Sequence, residues 1–382
     1  MATGPHSHRP VRGLVMLPRG ELVVGWVHLG GFAMDGTWGL CVVVVLATAA
    51  VSGCSVEQTG MADLGGDLMA ARIPKRPVAT YSIVARDAAT GELGVAVQSH
   101  WFSVGSVVPW AEAGVGVVAT QSLVDVRYGP MGLALMKGGR SANEALEALT
   151  LSDAGAAVRQ VAMIDAAGNV ATHTGNKCIA EAGHVNGKAP DGSVYSAQAN
   201  LMAKSTVPAA MAKAFEGSSG ALSKRLMAAL HAAQAEGGDV RGKQSAAMLV
   251  VKGKSSGRAW EDRVVELRVE DAPDPLAELD RLLTLHRAYE HMNAGDLAIE
   301  KKDVEGAMRE YGAARELAPG NAEMAFWSAV SLVNAGKVEE ALPLLREAYK
   351  DLQGDWKTTL KRLPKAGLLP EDAQLMKKLL GE

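Results

Sequence analysis

The order in which strand and helix patterns follow one another between residues 80 and 270 leaves this chain few folds to adopt. "TYSIVARD" (80–87) and "LGVAVQS" (93–99) are rich in β-branched and aromatic residues. They roughly alternate apolar with polar and flank the turn "AATGE", which is the pattern of a hairpin. "VGSVVPWAEAGVGVVATQS" (104–122) continues as strand, interrupted at Pro109 and at two close glycines. "GPMGLALMKGG" and "SANEALEALTL" then read as helices, the second opened by a capping box of Ser141 and Glu144. "VRQVAMIDAAGNVATHTG" is a second hairpin, with its turn around Gly168, and "VYSAQANLMA" is a strand. Helical periodicity returns at 207–216 and 221–236, before the strands "SAAMLVVKG" and "DRVVELRVE". Strands, two helices, strands, two helices, strands: this order suits two packed antiparallel sheets covered by helices, an α+β architecture. Strands and helices do not alternate singly, so a doubly wound α/β fold fits less well. "GVGVVA" lies inside a strand pattern, where glycine marks close backbone approach rather than a phosphate cradle.

The C-terminal part changes period. Residues Ala288 to Asn321 and Ala322 to Asp355 are two units of 34 residues, in which Ala307 meets Ala341, Tyr311 meets Leu345 and Ala314 meets Ala348. That small-large-small face with a trailing proline is the pattern of a tetratricopeptide-like repeat. Two repeats bury too little surface alone, so the helix "PLAELDRLLTLHRAYEH" before them and the segment from Trp356 onward are expected to cap the stack. The repeats are read either as a packed accessory domain or as a docking surface for a protein partner.

At the other end, "LCVVVVLATAAVSGC" (40–54) is too short to span a bilayer and suits a signal-peptide core. It ends in Val51-Ser52-Gly53-Cys54, which resembles a lipobox, so Cys54 is the expected lipidation site and the protein is expected in the cell envelope or periplasm. Its membrane association would be through that anchor alone. A buried helix or an uncleaved anchor is the other reading. The leader is long, and Met16 or Met34 are alternative starts. The expected organisation is therefore an export segment over 1–54, a flexible linker over 55–79, the sheet domain over 80–272 and the helical domain over 273–382.

Composition removes several functions. A net charge of −3 and 4% aromatics provide neither a basic field nor stacking surfaces for nucleic acid. Past the export segment only Cys178 remains of three cysteines, so no disulfide framework is expected. His100, His173 and His184 stand apart, without the spacing of a metal motif, and neither a P-loop nor a G-x-S-x-G elbow is present. No cofactor is expected.

Three stretches are able to carry chemistry. Thr80 heads the first strand. With its amino group free it would supply nucleophile and base from one residue, since an α-amine of pKa roughly 8 takes the hydroxyl proton; uncut, it is an ordinary strand threonine. "THTGNKCIAEAGHVNG" holds Cys178 and His184 six residues apart, either a thiol with its base or a packing cysteine with a hydrogen-bonding histidine. In "YSAQANLMA", Gln198 and Asn200 share a strand face. They are either donors to a developing oxyanion or bridges between loops. Gln121 and Ser122 are similar polar positions ending an apolar strand.

Together, "TYSIVARDAATGELGVAVQS", "VGSVVPWAEAGVGVVATQS", "GPMGLALM", "TGNKCIAEAGH" and "YSAQANLM" resemble the bacterial family called domain of unknown function 1028. That family is grouped by resemblance with the N-terminal-nucleophile hydrolases. The match spans about Thr80 to Asp271, and the helical tail looks like the extension of longer members. The resemblance implies a four-layer αββα sandwich with the nucleophile at the first residue of the mature domain, here Thr80. It further implies Asn200 as an oxyanion donor, and Gln121, Cys178, His184 and Gln198 as residues of a substrate pocket. Ala199 stands where family members often have glycine. The expected activity is amidohydrolysis of a small amide or peptide through a Thr80 acyl-enzyme. The alternative is a non-catalytic envelope protein whose sandwich binds a ligand and whose repeats dock a partner. A weaker third reading makes Cys178 the nucleophile.

Overall fold

The structure is a computed structural model that describes residues 77–382 and, before them, the backbone of six short strands. In that first unit β1 (Val11–Met16) pairs with β2 (Leu22–Val27), β3 (Leu29–Gly30) with β6 (Cys41–Val42), and β4 (Ala33–Met34) with β5 (Thr37–Trp38), all antiparallel. Cys54 and most of the expected linker lie outside the described residues. Its last residues do not behave as a linker: Val78 and Ala79 are fully buried, and Val78 exchanges both backbone hydrogen bonds with Ser122.

The second unit contains two sheets, antiparallel throughout. Six strands run in the order β13 (Gly183–Lys188), β14 (Val194–Ala199), β7 (Thr80–Arg86), β8 (Leu93–Ser99), β15 (Ser245–Val251), β16 (Arg263–Val269). The other four run β12 (Val170–Thr174), β11 (Arg159–Asp165), β10 (Gly116–Ser122), β9 (Pro109–Glu112). Pro109, which lacks an N–H to give a ladder, begins an edge strand. β13 was not expected. "GHVNGK" has little β-propensity, and it pairs only at the edge, where alternate residues remain exposed.

Period-two alternation explains why the central strands are buried on both faces. On β7, Tyr81, Ile83 and Ala85 face one apolar cluster together with helices α3 (Val207–Glu216) and α4 (Leu222–Ala235), while Val84 faces another between the sheets. On β10 and β11, Val118, Val161 and Met163 meet α1 (Tyr128–Lys137) and α2 (Ala142–Ser152), and Val117, Ala119, Ala162 and Ile164 face inward. Each sheet thus carries a helix pair on its outer face. The capping box at α2 forms as expected: Ser141 accepts from the Glu144 N–H, and the Glu144 carboxylate accepts from Ser141 N at 2.8 Å. Gly116 is a close-approach position, since a Cβ there would lie 2.7 Å from the Met136 side chain of α1.

Helix α5 (Pro275–Glu300) joins the sheet region to the helical region without a break. Leu276, Leu279 and Leu283 pack on the six-stranded sheet, whereas Ala288 and Met292 pack with the next helix, so its first half is part of the sheet domain's core. A boundary at 272 therefore cuts off about two helical turns of that core's cover. The helices α6 (Val304–Leu317), α7 (Ala322–Asn334), α8 (Val338–Ala348), α9 (Trp356–Arg362) and α10 (Ala373–Leu380) follow. The six positions matched by the 34-residue period, from Ala307 to Ala348, are all buried. Gly295 faces the Tyr311 ring so closely that a Cβ would lie 2.3 Å from it. Gly295→Ala should therefore destabilise by about 1–3 kcal/mol through overpacking. In an open helix the same change stabilises by about 1 kcal/mol, so the sign measured by chemical unfolding reads the contact directly. A more stable variant removes it.

Candidate functional site

The layer between the sheets is apolar along most of its length and polar at one end. The inward positions there are Thr80, Ser82, Gln121, Gln160, Gln198 and Asn200, all fully buried. They lie on β7, β10, β11 and β14 and the residue just past β14. The same alternation that sends aliphatic side chains inward elsewhere along these strands sends hydroxyls and carboxamides inward here.

The carboxamides form one network. Gln121 Oε1 accepts from Ser82 Oγ at 2.7 Å, and its Nε2 donates to Gln160 Oε1 at 2.7 Å and to the Thr80 carbonyl at 3.2 Å. Asn200 Nδ2 donates to the same Gln160 Oε1 at 3.0 Å. Gln160 Nε2 donates among Ala199 O, Thr174 Oγ1 and Gly183 O at 2.9–3.1 Å. Gln198 Nε2 bridges the sheets, from Ser82 Oγ to Ala119 O, both at 3.2 Å. In a low-dielectric layer such a network fixes its members rigidly, and losing its hub strands several groups at once. Gln160→Leu should cost about 3 kcal/mol in urea unfolding. A loss below about 0.5 kcal/mol would show that the network holds nothing in place.

Thr80 sits at the edge of this network. Its Oγ1 donates toward Val78 O at 2.8 Å and Ser99 Oγ at 3.1 Å. Ser99 is opposite Thr80 in the β7–β8 register, and its Oγ donates to the Ala79 carbonyl at 2.5 Å. A second donor reaches that carbonyl: Arg241 Nη2, at 2.8 Å. Arg241 also donates from Nη1 to Pro77 O at 3.2 Å. Its guanidinium is held by Asp239, which accepts from Nε at 3.0 Å and from Nη2 at 2.7 Å and is itself fully buried. The Arg241 side chain is 26% exposed. Two residues flanking Thr80 hold left-handed backbone without being glycine: Ser122 (φ 71°), paired with Val78, and Leu201 (φ 57°), just after Asn200. Strain of about 1–3 kcal/mol per such residue collects at functional sites.

The expected site residues divide accordingly. Thr80, Gln121 and Asn200 meet: Asn200 N–H and Gln121 Nε2 both donate to the Thr80 carbonyl. Asn200 gives its amide to Gln160, and its unpartnered buried atom is Oδ1, an acceptor. The donors on the Ala79 carbonyl are instead Ser99 and Arg241. Gln198 joins the two sheets. Cys178 is half-buried, its thiol donating to the Arg159 carbonyl at 3.3 Å, and burial pushes its pKa up, the opposite of an activated thiolate. His184 lies on β13 and shares a hydrogen bond of 2.9 Å with Thr174 Oγ1 of β12. Burial, and then the neighbouring His173, lower its pKa. Cys178 and His184 thus bond to different partners and do not form a couple. Among the described residues no cluster of three His, Cys, Asp or Glu is placed to hold a metal ion, and no helix is long and apolar enough to cross a membrane.

Ser99, Gln160, Asp239 and Arg241 were not singled out from sequence. Ser99 was legible, because the hairpin "TYSIVARDAATGELGVAVQS" places it opposite Thr80 once the turn length sets the register. Gln160 showed as a carboxamide inside an apolar strand pattern. Nothing in the sequence marked Asp239 or Arg241, which come from a loop.

A family model described as a family of unknown function, DUF1028, matches residues 80–279. Among solved structures, the crystal structure of protein SPO2555 from Silicibacter pomeroyi, a DUF1028 family member, is similar: 31% identical, covering 54% of this chain and 88% of that one, with a TM-score of 0.47. No curated protein matches.

Proposed function

The chain belongs to DUF1028, a family of unknown function, and from that premise we propose that it is an N-terminal-nucleophile amidohydrolase that frees its own nucleophile by cutting the Ala79–Thr80 bond. The observation that carries this is the Ala79 carbonyl. It accepts hydrogen bonds from Ser99 Oγ and Arg241 Nη2, and the hydroxyl of the very next residue bonds the same Ser99. A peptide carbonyl held by two donors, one of them cationic, beside a hydroxyl is arranged for attack on its carbon, because those donors stabilise the oxyanion that forms. The layer order supports the same reading: two antiparallel sheets, each with a helix pair outside it and Thr80 opening a central strand, are what an αββα sandwich would present.

In the first step Thr80 Oγ bonds to the Ala79 carbonyl carbon, the C–N bond breaks, and the hydroxyl proton passes to the departing nitrogen. Water then hydrolyses the resulting ester, giving an Ala79 carboxylate and a free Thr80 amine. In turnover that amine takes the Oγ proton, Oγ attacks a substrate amide, and the proton goes to the leaving amine. Water releases the acyl group. Ser99 and Arg241 serve the oxyanion in both reactions, with Asp239 orienting the guanidinium. Mass measurement of the isolated protein tests this: a chain beginning at Thr80 is expected, and one that is active while still joined to Ala79 overturns the mechanism.

A further inference from the structure

We infer that the acyl half of the substrate is a short extended peptide ending in a small apolar residue, bound where Pro77–Val78–Ala79 lies in the uncut chain. This rests on the hydrolase reading above. The ester formed in self-cleavage and the acyl-enzyme of turnover are the same chemical species, an acyl group on Thr80 Oγ with its carbonyl oxygen in the same pair of donors. Whatever surface holds the acyl side of the first therefore holds the acyl side of the second.

That surface is built to read a main chain. Val78 N donates to Ser122 O at 2.7 Å, and Ser122 N donates to Val78 O at 3.0 Å, so the segment pairs antiparallel with the last residue of β10. Arg241 takes the carbonyls on either side, Pro77 O and Ala79 O. All three consecutive carbonyls are thus engaged, by contacts that require extended backbone and are indifferent to side chain. This is the hydrogen-bonding logic of strand addition, in which pockets for side chains then set specificity.

The side chains are where selection enters. Val78 and Ala79 have no exposed surface. Val78 belongs to the apolar cluster between the sheets, with Val97, Val104, Val108 and Val124. When the segment before Thr80 leaves, the cluster loses Val78 and opens an apolar slot, which a substrate's penultimate aliphatic side chain refills. At the last position a fully enclosed methyl leaves no room for a Leu or Phe side chain. A carboxylate or ammonium there would be buried without a partner, which costs several kcal/mol. Arg241 already has both Asp239 oxygens.

The test uses the isolated full-length product with its amino terminus at Thr80 verified by mass. It is offered acetyl-Pro-Val-Ala-p-nitroanilide and analogues with Leu, Phe, Asp or Lys in place of Ala. The Ala compound is expected to exceed each of the others by ~100-fold or more in kcat/KM, and free acetyl-Pro-Val-Ala, the acid, is expected to inhibit competitively. A Thr80-started protein that leaves the Ala compound intact, or that cleaves the Leu and Phe compounds equally well, overturns the inference, whatever other amide it hydrolyses. A chain that remains joined at Ala79 and inactive overturns the hydrolase reading and this inference with it. The terminal mass tells the two failures apart.

Discussion

Thr80→Ala leaves the chain joined at Ala79 and lowers amide hydrolysis by at least about 10⁴-fold, the scale on which enzymes lose rate when a nucleophile is deleted. The side chain is small and fully buried, and its hydroxyl donates only within the Val78–Ser99 group. The variant is thus expected to fold, and circular dichroism with a melting curve checks that it does. Thr80→Ser keeps the hydroxyl and is expected to restore both cleavage and turnover. Ser99→Ala and Arg241→Met each remove one donor from the Ala79 carbonyl, and each is expected to slow cleavage by about 10²–10³-fold. A role confined to holding the strand would show no such ordering, since Thr80→Ser and Thr80→Ala would then differ only in stability. Cleavage or activity surviving in folded Thr80→Ala removes Thr80 from the mechanism altogether.

Arg159→Leu is expected to destabilise the protein by about 3–5 kcal/mol, the range for removing one partner from a buried ion pair. Arg159 is 1% exposed. Its Nε donates to Asp153 at 2.8 Å, its Nη1 to the Leu123 carbonyl, and Asp125 lies 3.9 Å away. The variant leaves the largely buried Asp153 carboxylate facing an apolar side chain, while Asp125 keeps its pair with Arg127 at 2.6 Å. Acid dependence gives the distinguishing signature. Burial opposes the charge of Asp153, but hydrogen bonds from Arg159 and the Gly155 N–H outweigh it, and the pKa is lowered. Burial likewise opposes Asp125, outweighed by hydrogen bonds from Arg127 and the charges of Arg127 and Arg159. Lowered folded-state pKa values mean that the stabilisation is present above the unfolded carboxylate value and is lost as pH falls through the folded one. Without Arg159 the Asp153 carboxyl loses its main stabilising partner, ionises at higher pH and accepts neutrality readily, while Arg127 still holds Asp125. The stability gap between the two proteins should therefore narrow below about pH 4. A gap that stays constant from neutral pH to pH 3 would mean that charge pairing is not what Arg159 contributes.

The fold was legible wherever a pattern repeated. The hairpin patterns of "TYSIVARDAATGELGVAVQS" and "VRQVAMIDAAGNVATHTG" predict pairs that form, β7 with β8 and β11 with β12. The capping box fixed the start of α2, and the 34-residue period picked out the buried face of the helical region. Local signals failed at β13, an edge strand of weak propensity that exists because β14 is there to pair with it. They failed again at α5, whose one continuous helix serves two cores, so that no composition shift marks where one ends.

For the candidate site, the sequence by itself determined Thr80, the hairpin that sets Ser99 opposite it, and the inward carboxamides Gln121, Gln198 and Asn200. Only the tertiary structure decided what those groups touch. It brought Arg241, from a loop some 160 residues away in sequence, onto the Ala79 carbonyl with Asp239 holding its guanidinium, turned the Asn200 amide to Gln160, and separated Cys178 from His184. The physical reason is range. Periodicity and register are set by neighbours along one strand or hairpin, whereas hydrogen bonds between loops depend on how separate sheets stack, and that is fixed by the burial of the whole core.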